Sequence, residues 1–261
     1  MSKLNYLINY VNYRKKAVNQ HGIHSPFLFE LYNNVIADTT PFYCFEDIES
    51  MRAKLLLSPL EVEINDFGAG SSINKANKRK VSDIAKNTLK TKKYGQLLFR
   101  LVNRFKPQEV LELGTSLGVS TMYLAASNSN TKVITVEGCP NIAKIAQINF
   151  DKIGYSNIEL VNQTFDDFLE DYLAKKDRLD FVFFDGNHTK EATLRYFNWC
   201  VEKTNNDTVF VFDDIYWSDG MKAAWQEIKT HPQITTTVDL FALGIVFFNK
   251  DLSKENFVLR F

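Results

Sequence analysis

The stretch "EVLELGTSLGVSTMYLA", Glu109–Ala125, decides how most of the chain is read. Its first residues form a short apolar strand ending at Leu113. Gly114 permits a tight turn, and Gly118 lets the backbone approach a ligand closely. Ser120 and Thr121 then open a helix whose first amides have no acceptor inside the helix and are free to hold a polar group. The glycine spacing is weak evidence alone, because it is not G-x-G-x-x-G. Its sequel strengthens it. The next strand, "KVITVEG", ends in Glu137, about two dozen residues past Gly114, where doubly wound sheets place the acid that binds ribose hydroxyls.

Outward from this stretch the chain alternates regularly from Tyr94 onward. "YGQLLFRLVNRF" carries Leu97, Leu98, Leu101, Val102 and Phe105 on one helical face. Strands "EVLELG", "KVITVEG", "IELVN", "LDFVFFDG" and "TVFVFDD" are separated by helices, which implies right-handed crossovers and a mainly parallel sheet. The apolar runs "FVFF" and "VFVF" suit strands buried on both faces. The last two expected strands, "QITTTVDLF" and "GIVFFNK", leave no room for a helix between them and must form a hairpin. The expected fold is therefore α/β: a Rossmann-like, doubly wound, seven-stranded sheet with an antiparallel last strand and an N-terminal helical extension. Residues 1–93 are expected as a helical cap region with a basic segment, and residues 94–261 as the cofactor-binding domain.

Formal net charge is zero, so no global field favours nucleic acid or an anionic surface. Three dispersed cysteines without a CxxC pair argue against a disulfide framework or zinc–thiolate site and fit a reducing cytoplasm. No run reaches the length of a membrane span. The N-terminal residues Leu4, Leu7, Ile8 and Val11 recur at helical spacing, and the expectation is an amphipathic helix packed on the main domain, with a membrane-surface or partner role as the alternative.

"LELGTSLGVST" followed by "VITVEG" resembles the class I S-adenosylmethionine-dependent methyltransferases, most closely the catechol-type small-molecule O-methyltransferase branch. The resemblance spans Tyr94 to the C-terminus. It implies that Glu112, Gly114, Thr115 and Gly118 border the methionine part of S-adenosylmethionine, that Glu137 binds its ribose, and that Thr164 and Phe165 lie beside its adenine; Asp185 is also expected among the cofactor-binding residues.

"FFDGNHTKEA" puts Asp185 at the end of the fourth strand, and "VFDDIYW" puts Asp213 and Asp214 at the end of the fifth. Converging carboxylates are costly unless a cation or protons compensate them, and hard divalent ions favour oxygen ligands. Capping the next helix, or simply ending a strand, is the plain alternative for Asp213 and Asp214. Cation-dependent members of the resembled family carry such aspartates and hold magnesium or a similar ion, which implies a metal role for Asp185, Asp213 and Asp214. Their residue three beyond the strand-four aspartate is typically a lysine base; here it is His188. Histidine takes a proton near neutral pH without a special environment. His188 and Asp185 are thus the expected catalytic pair, with metal ligation or helix capping as the other readings of His188.

A second glycine stretch, "DFGAGS" at Asp66–Ser71, lacks a following apolar strand and ribose acid and is expected as a turn. The basic segment 75–93 is read as a solvated face or a lid. His21 and His24 are expected as turn residues, and Phe27, Phe29 and Tyr32 as packing or acceptor-pocket residues. The expected activity is O-methylation of a small-molecule acceptor, and a homodimer is left open. The alternatives are a non-catalytic S-adenosylmethionine-binding module and a methyltransferase acting on protein or nucleic acid. An NAD-dependent oxidoreductase is disfavoured by the glycine spacing and the hairpin. Base methylation is disfavoured by "DGNH" standing where "NPPY" or "DPPY" would be.

Overall fold

In the computed structural model, residues 3–64 and 78–261 are described, and the statements below concern these. The Asp66–Ser71 turn and residues 75–77 lie outside them. The chain runs α1 (Lys3–Lys16), α2 (Pro26–Leu31), α3 (Cys44–Leu56), β1 (Glu61–Glu63), β2 (Lys78–Lys80), α4 (Val81–Thr88) and α5 (Lys92–Phe105). The alternating part follows: β3 (Glu109–Leu113), α6 (Val119–Ala126), β4 (Lys132–Val136), α7 (Pro140–Ile153), β5 (Ile158–Val161) and α8 (Phe165–Ala174). It continues through β6 (Phe181–Phe184), α9 (Lys190–Val201), β7 (Val209–Asp213), α10 (Asp219–Thr230), β8 (Thr236–Asp239), β9 (Leu243–Phe247) and β10 (Glu255–Val258).

Two compact units emerge, residues 40–170 and residues 1–39 with 171–261. In the first, β3, β4 and β5 lie side by side and parallel, with Glu112 opposite Thr135 and Leu113 opposite Val136. Helix α5 buries Leu97, Leu98, Leu101 and Val102, the face its periodicity marks out. It stops at Lys106, in the left-handed region at φ 48°, just before Pro107. The core of this unit joins α3 and α4 to α6 and α7 through Phe45, Ile48, Val81, Tyr123 and Phe150. Residues 78–88 of the basic segment are ordered secondary structure. Lys78 and Lys80 stand opposite Glu63 and Glu61 in an antiparallel pair, where opposite charges favour the register.

In the second unit the strand order is β10-β8-β9-β7-β6. Strands β6 and β7 are buried along their whole length, as their apolar runs predict. The hairpin expected at the end is present: β9 pairs antiparallel with both β7 and β8. Its turn sets Phe241 at φ 70°, with Asp239 Oδ1 accepting from the Phe241 amide at 2.9 Å. Among the described residues these strands number three in the first unit and five in the second, eight in all rather than seven. The additional strand, β10, pairs parallel with β8, so the antiparallel strand β9 is not the last. "ENFV" was hidden because it is short, begins with two polar residues and buries only Phe257 fully.

The N-terminal helix also departs from expectation. The side chains that dock it are Asn9 and Tyr13, both buried, while Leu4, Leu7, Ile8 and Val11 are exposed. Periodicity tells which residues share a face, but not which way that face turns. Phe27 packs edge-on against Phe247 at 5.1 Å, Tyr32 is buried, and Phe29 is exposed.

Candidate functional site

The loop after β3 holds three left-handed residues within five: Gly114 at φ 114°, Ser116 at 48° and Gly118 at 84°. This coil turns the chain back, so that the Gly114 and Thr115 amides both donate to the Val136 carbonyl, at 3.1 and 3.2 Å. Gly118 is required twice over, by its φ and by space: a Cβ there would sit 2.4 Å from Phe150 Cε1. It caps α6 without any side-chain hydrogen bond, which leaves the first amides of that helix to an external acceptor.

Glu112 lies fully buried beneath this loop. Its Oε2 accepts from Thr121 and from Thr135, the latter at 2.6 Å, and Thr115 and Thr135 share a further 2.6 Å bond. Among the described residues Oε1 has no hydrogen-bond partner. Burial pushes the carboxyl up to about 7; the Thr121, Thr135 and Ser120 hydroxyls oppose that, and the Glu137 charge adds to it. A raised carboxyl makes the folded state hold a proton that the unfolded state releases above pH 4.5. Stability is therefore lost as pH rises from about 4.5 to about 7, and is level beyond. Glu112→Gln is expected to remove this slope. Urea unfolding from pH 5 to pH 8 should show the variant gaining on the parent by about 1–3 kcal/mol toward pH 8; an unchanged difference across that range would contradict it.

Glu137 is held by its own loop and by the loop after β3. Oε2 accepts from the Ser116 amide and Oε1 from the Cys139 amide, each at 2.9 Å, which fixes the carboxylate at the end of β4. Asn162 Nδ2 donates to the Glu137 carbonyl at 2.6 Å and ties this turn to the end of β5. Thr164 Oγ1 donates to Asp167 Oδ2 at 2.7 Å and accepts from the Asp167 amide at 3.3 Å, so it acts as a cap at the start of α8, and Phe165 is the first residue of that helix. Ser116 and Asn162, with Asn149 Nδ2 donating to the Leu117 carbonyl at 3.0 Å, are the residues that sequence reasoning missed here. Only the left-handed backbone at Ser116, invisible in sequence, marks it out.

In the other unit, Asp185, His188 and Asp213 converge, with one ligand atom from each lying within 4.8 Å of the others. Asp213 is fully buried at the end of β7, and His188 Nε2 is 3.8 Å from Asp185 Oδ1. Neither capping alternative holds. Thr189 caps α9, accepting from the Ala192 amide at 3.3 Å, and Ser218 caps α10, accepting from the Met221 amide at 3.0 Å. Asp214, at φ 53°, is not in the converging group. Asn187, at φ 49°, donates through Nδ2 to the buried Tyr196 hydroxyl at 3.4 Å and so helps shape the loop that carries Asp185 and His188. Two carboxylates and an imidazole fit a divalent cation: the two carboxylates alone suit magnesium or manganese, and the set that includes the imidazole suits iron or zinc.

Residues 111–215, the segment holding both clusters, match the family model described as a methyltransferase domain. Among solved structures, an O-methyltransferase from Bacillus cereus in complex with SAH is similar at TM-score 0.54 and 19% identity, over 80% of this chain and 92% of that one. An SAH-bound methyltransferase from Podospora anserina is similar at TM-score 0.58 and 10% identity, over 87% and 97%. The fold is a methyltransferase fold. Two curated catechol O-methyltransferases are also similar. That of Mycobacterium tuberculosis is 29% identical over 49% of this chain and 58% of its own length; that of Niastella koreensis is 30% identical over 46% and 55%. The chain thus spans a little over half the length of the curated relatives it matches. In this methyltransferase fold the glycine loop and Glu137 follow β3 and β4, and the acidic cluster follows β6 and β7.

Proposed function

We propose that the chain transfers the methyl group of S-adenosylmethionine to a hydroxyl oxygen of a small-molecule acceptor. The convergence of Asp185, His188 and Asp213 carries this reading, because a cofactor loop alone would suit a binding module equally well. Glu112, Gly114, Thr115 and Gly118 are assigned to the methionine part, Glu137 to the ribose, and Thr164 and Phe165 to the adenine. Glu137 presents a carboxylate whose orientation its two amides already fix, so little ordering is needed on binding.

Transfer breaks the sulfonium S–CH3 bond and forms an O–CH3 bond, with the electron pair returning to sulfur and the hydroxyl proton leaving. His188 accepts that proton, with Asp185 Oδ1 3.8 Å from its Nε2. Asp185 and Asp213, with Asp214 as a further candidate ligand, would hold a divalent cation, which when bound would supply Lewis acidity to the acceptor hydroxyl. The grouping of all three side chains favours a second reading in which His188 is itself a ligand. Residues 94–261 are taken as the catalytic portion and 1–93 as the N-terminal helical region. No helix among the described residues is long and apolar enough to cross a membrane. Three free, buried cysteines, Cys44, Cys139 and Cys200, suit a reducing compartment such as the cytoplasm.

Release of S-adenosylhomocysteine with catechol-type acceptors tests the reading. Turnover is expected to fall at least about tenfold with EDTA and to recover with magnesium or manganese. Turnover unaffected by EDTA would remove the cation and leave His188 as a base acting alone. Absence of transfer to any hydroxyl acceptor, despite cofactor binding, would favour the binding-module alternative.

A further inference from the structure

Helix α1 turns its apolar stripe away from the unit it belongs to. Its inner face is well docked: Tyr13 donates to the Leu259 carbonyl, Asn9 accepts from Lys222 Nζ at 3.0 Å, and Tyr6, Tyr10 and Tyr13 surround Phe241 at 5.0–5.4 Å. On the opposite face Leu4, Leu7, Ile8 and Val11 are 65%, 56%, 48% and 43% exposed. Arg14 and Lys15, three and four residues beyond Val11, continue that same face into a cationic end, and Lys16 is exposed beside them. No acid occurs in the chain before Glu30.

We propose that this face docks on an anionic lipid surface. Four aliphatic side chains followed by cations match the boundary of a bilayer, where acyl chains meet phosphates. A second copy fits worse. Antiparallel pairing would set Arg14 and Lys15 over the partner helix's aliphatic end, and parallel pairing would set cation against cation with no carboxylate on the helix to relieve them. Since the whole chain carries no net charge, the attraction is local to this helix.

Co-sedimentation of the full chain with phosphatidylcholine vesicles, with and without phosphatidylglycerol, tests this. Binding is expected only to the mixed vesicles and should weaken as salt rises. Arg14→Glu with Lys15→Glu should weaken it at least about tenfold. Leu4→Gln, Leu7→Gln, Ile8→Gln and Val11→Gln together should abolish it; these side chains are exposed, so a circular-dichroism spectrum and thermal midpoint matching the parent are expected. No binding to mixed vesicles, or equal binding by the quadruple variant, would overturn the proposal. So would a concentration-dependent dimer in sedimentation that the quadruple variant loses, which would assign the face to a second copy.

Discussion

Asp213→Asn is expected to lower kcat/KM for methyl transfer at least about 100-fold, while S-adenosylmethionine binds within about twofold of the parent. Asp213 closes β7, a strand buried at every residue, and its carboxylate is itself fully buried. Burying a carboxylate is costly unless charge or hydrogen bonds compensate it. Under the proposed function Asp213 stands beside Asp185 and His188 as one of the residues that would hold the cation. Asparagine keeps the shape and removes the charge, so the fold should survive; urea unfolding should show a midpoint no lower than the parent's. His188→Ala and Asp185→Asn should fall similarly, and the double variant by less than the product, because side chains acting as one unit are not additive. A loss below about tenfold in Asp213→Asn, with the fold intact, would remove the cluster from the chemistry.

Gly118→Val is expected to abolish measurable cofactor binding and to destabilise the fold by several kcal/mol. The backbone sits at φ 84°, and the added carbon would collide with Phe150, itself buried in the core. The left-handed conformation alone costs a non-glycine residue about 1–2 kcal/mol. The collision must then shift either the ring or the loop whose amides are assigned to the cofactor. Gly154→Ala separates these contributions. It has nearly the same backbone, φ 80°, yet nothing lies within 4 Å of its added carbon. It should cost about 1 kcal/mol in thermal or urea unfolding and leave binding unchanged. If Gly118→Ala behaved like Gly154→Ala in both measurements, the close approach at Gly118 would have no role in the site.

The alternating half of the chain was legible because its strands and helices differ in period. "FVFF" and "VFVF" are strands buried on both faces, and the closing hairpin follows from a spacing too short for a helix. Strand β10 was not legible, since an edge strand with one fully buried residue leaves no pattern. The direction in which α1 faces was not legible either. Its docking depends on Phe241, more than two hundred residues away and held in a left-handed turn that only the folded hairpin creates. In the candidate site, Asp185, His188 and Asp213 could be grouped because strand ends are countable from sequence. The positive φ of Asp214 was not legible, nor was the engagement of Thr164 by Asp167, which depends on how α8 begins. Asn162 carried no signal beyond an Asn-x-Thr triplet, although it fixes the turn behind Glu137.

Isothermal calorimetry of S-adenosylmethionine against the full chain tests the central claim most directly. Saturable binding at one site per chain, lost in Gly118→Val and retained in Asp213→Asn, is the predicted result. Absence of heat at high protein concentration, or binding that Gly118→Val leaves intact, would contradict it.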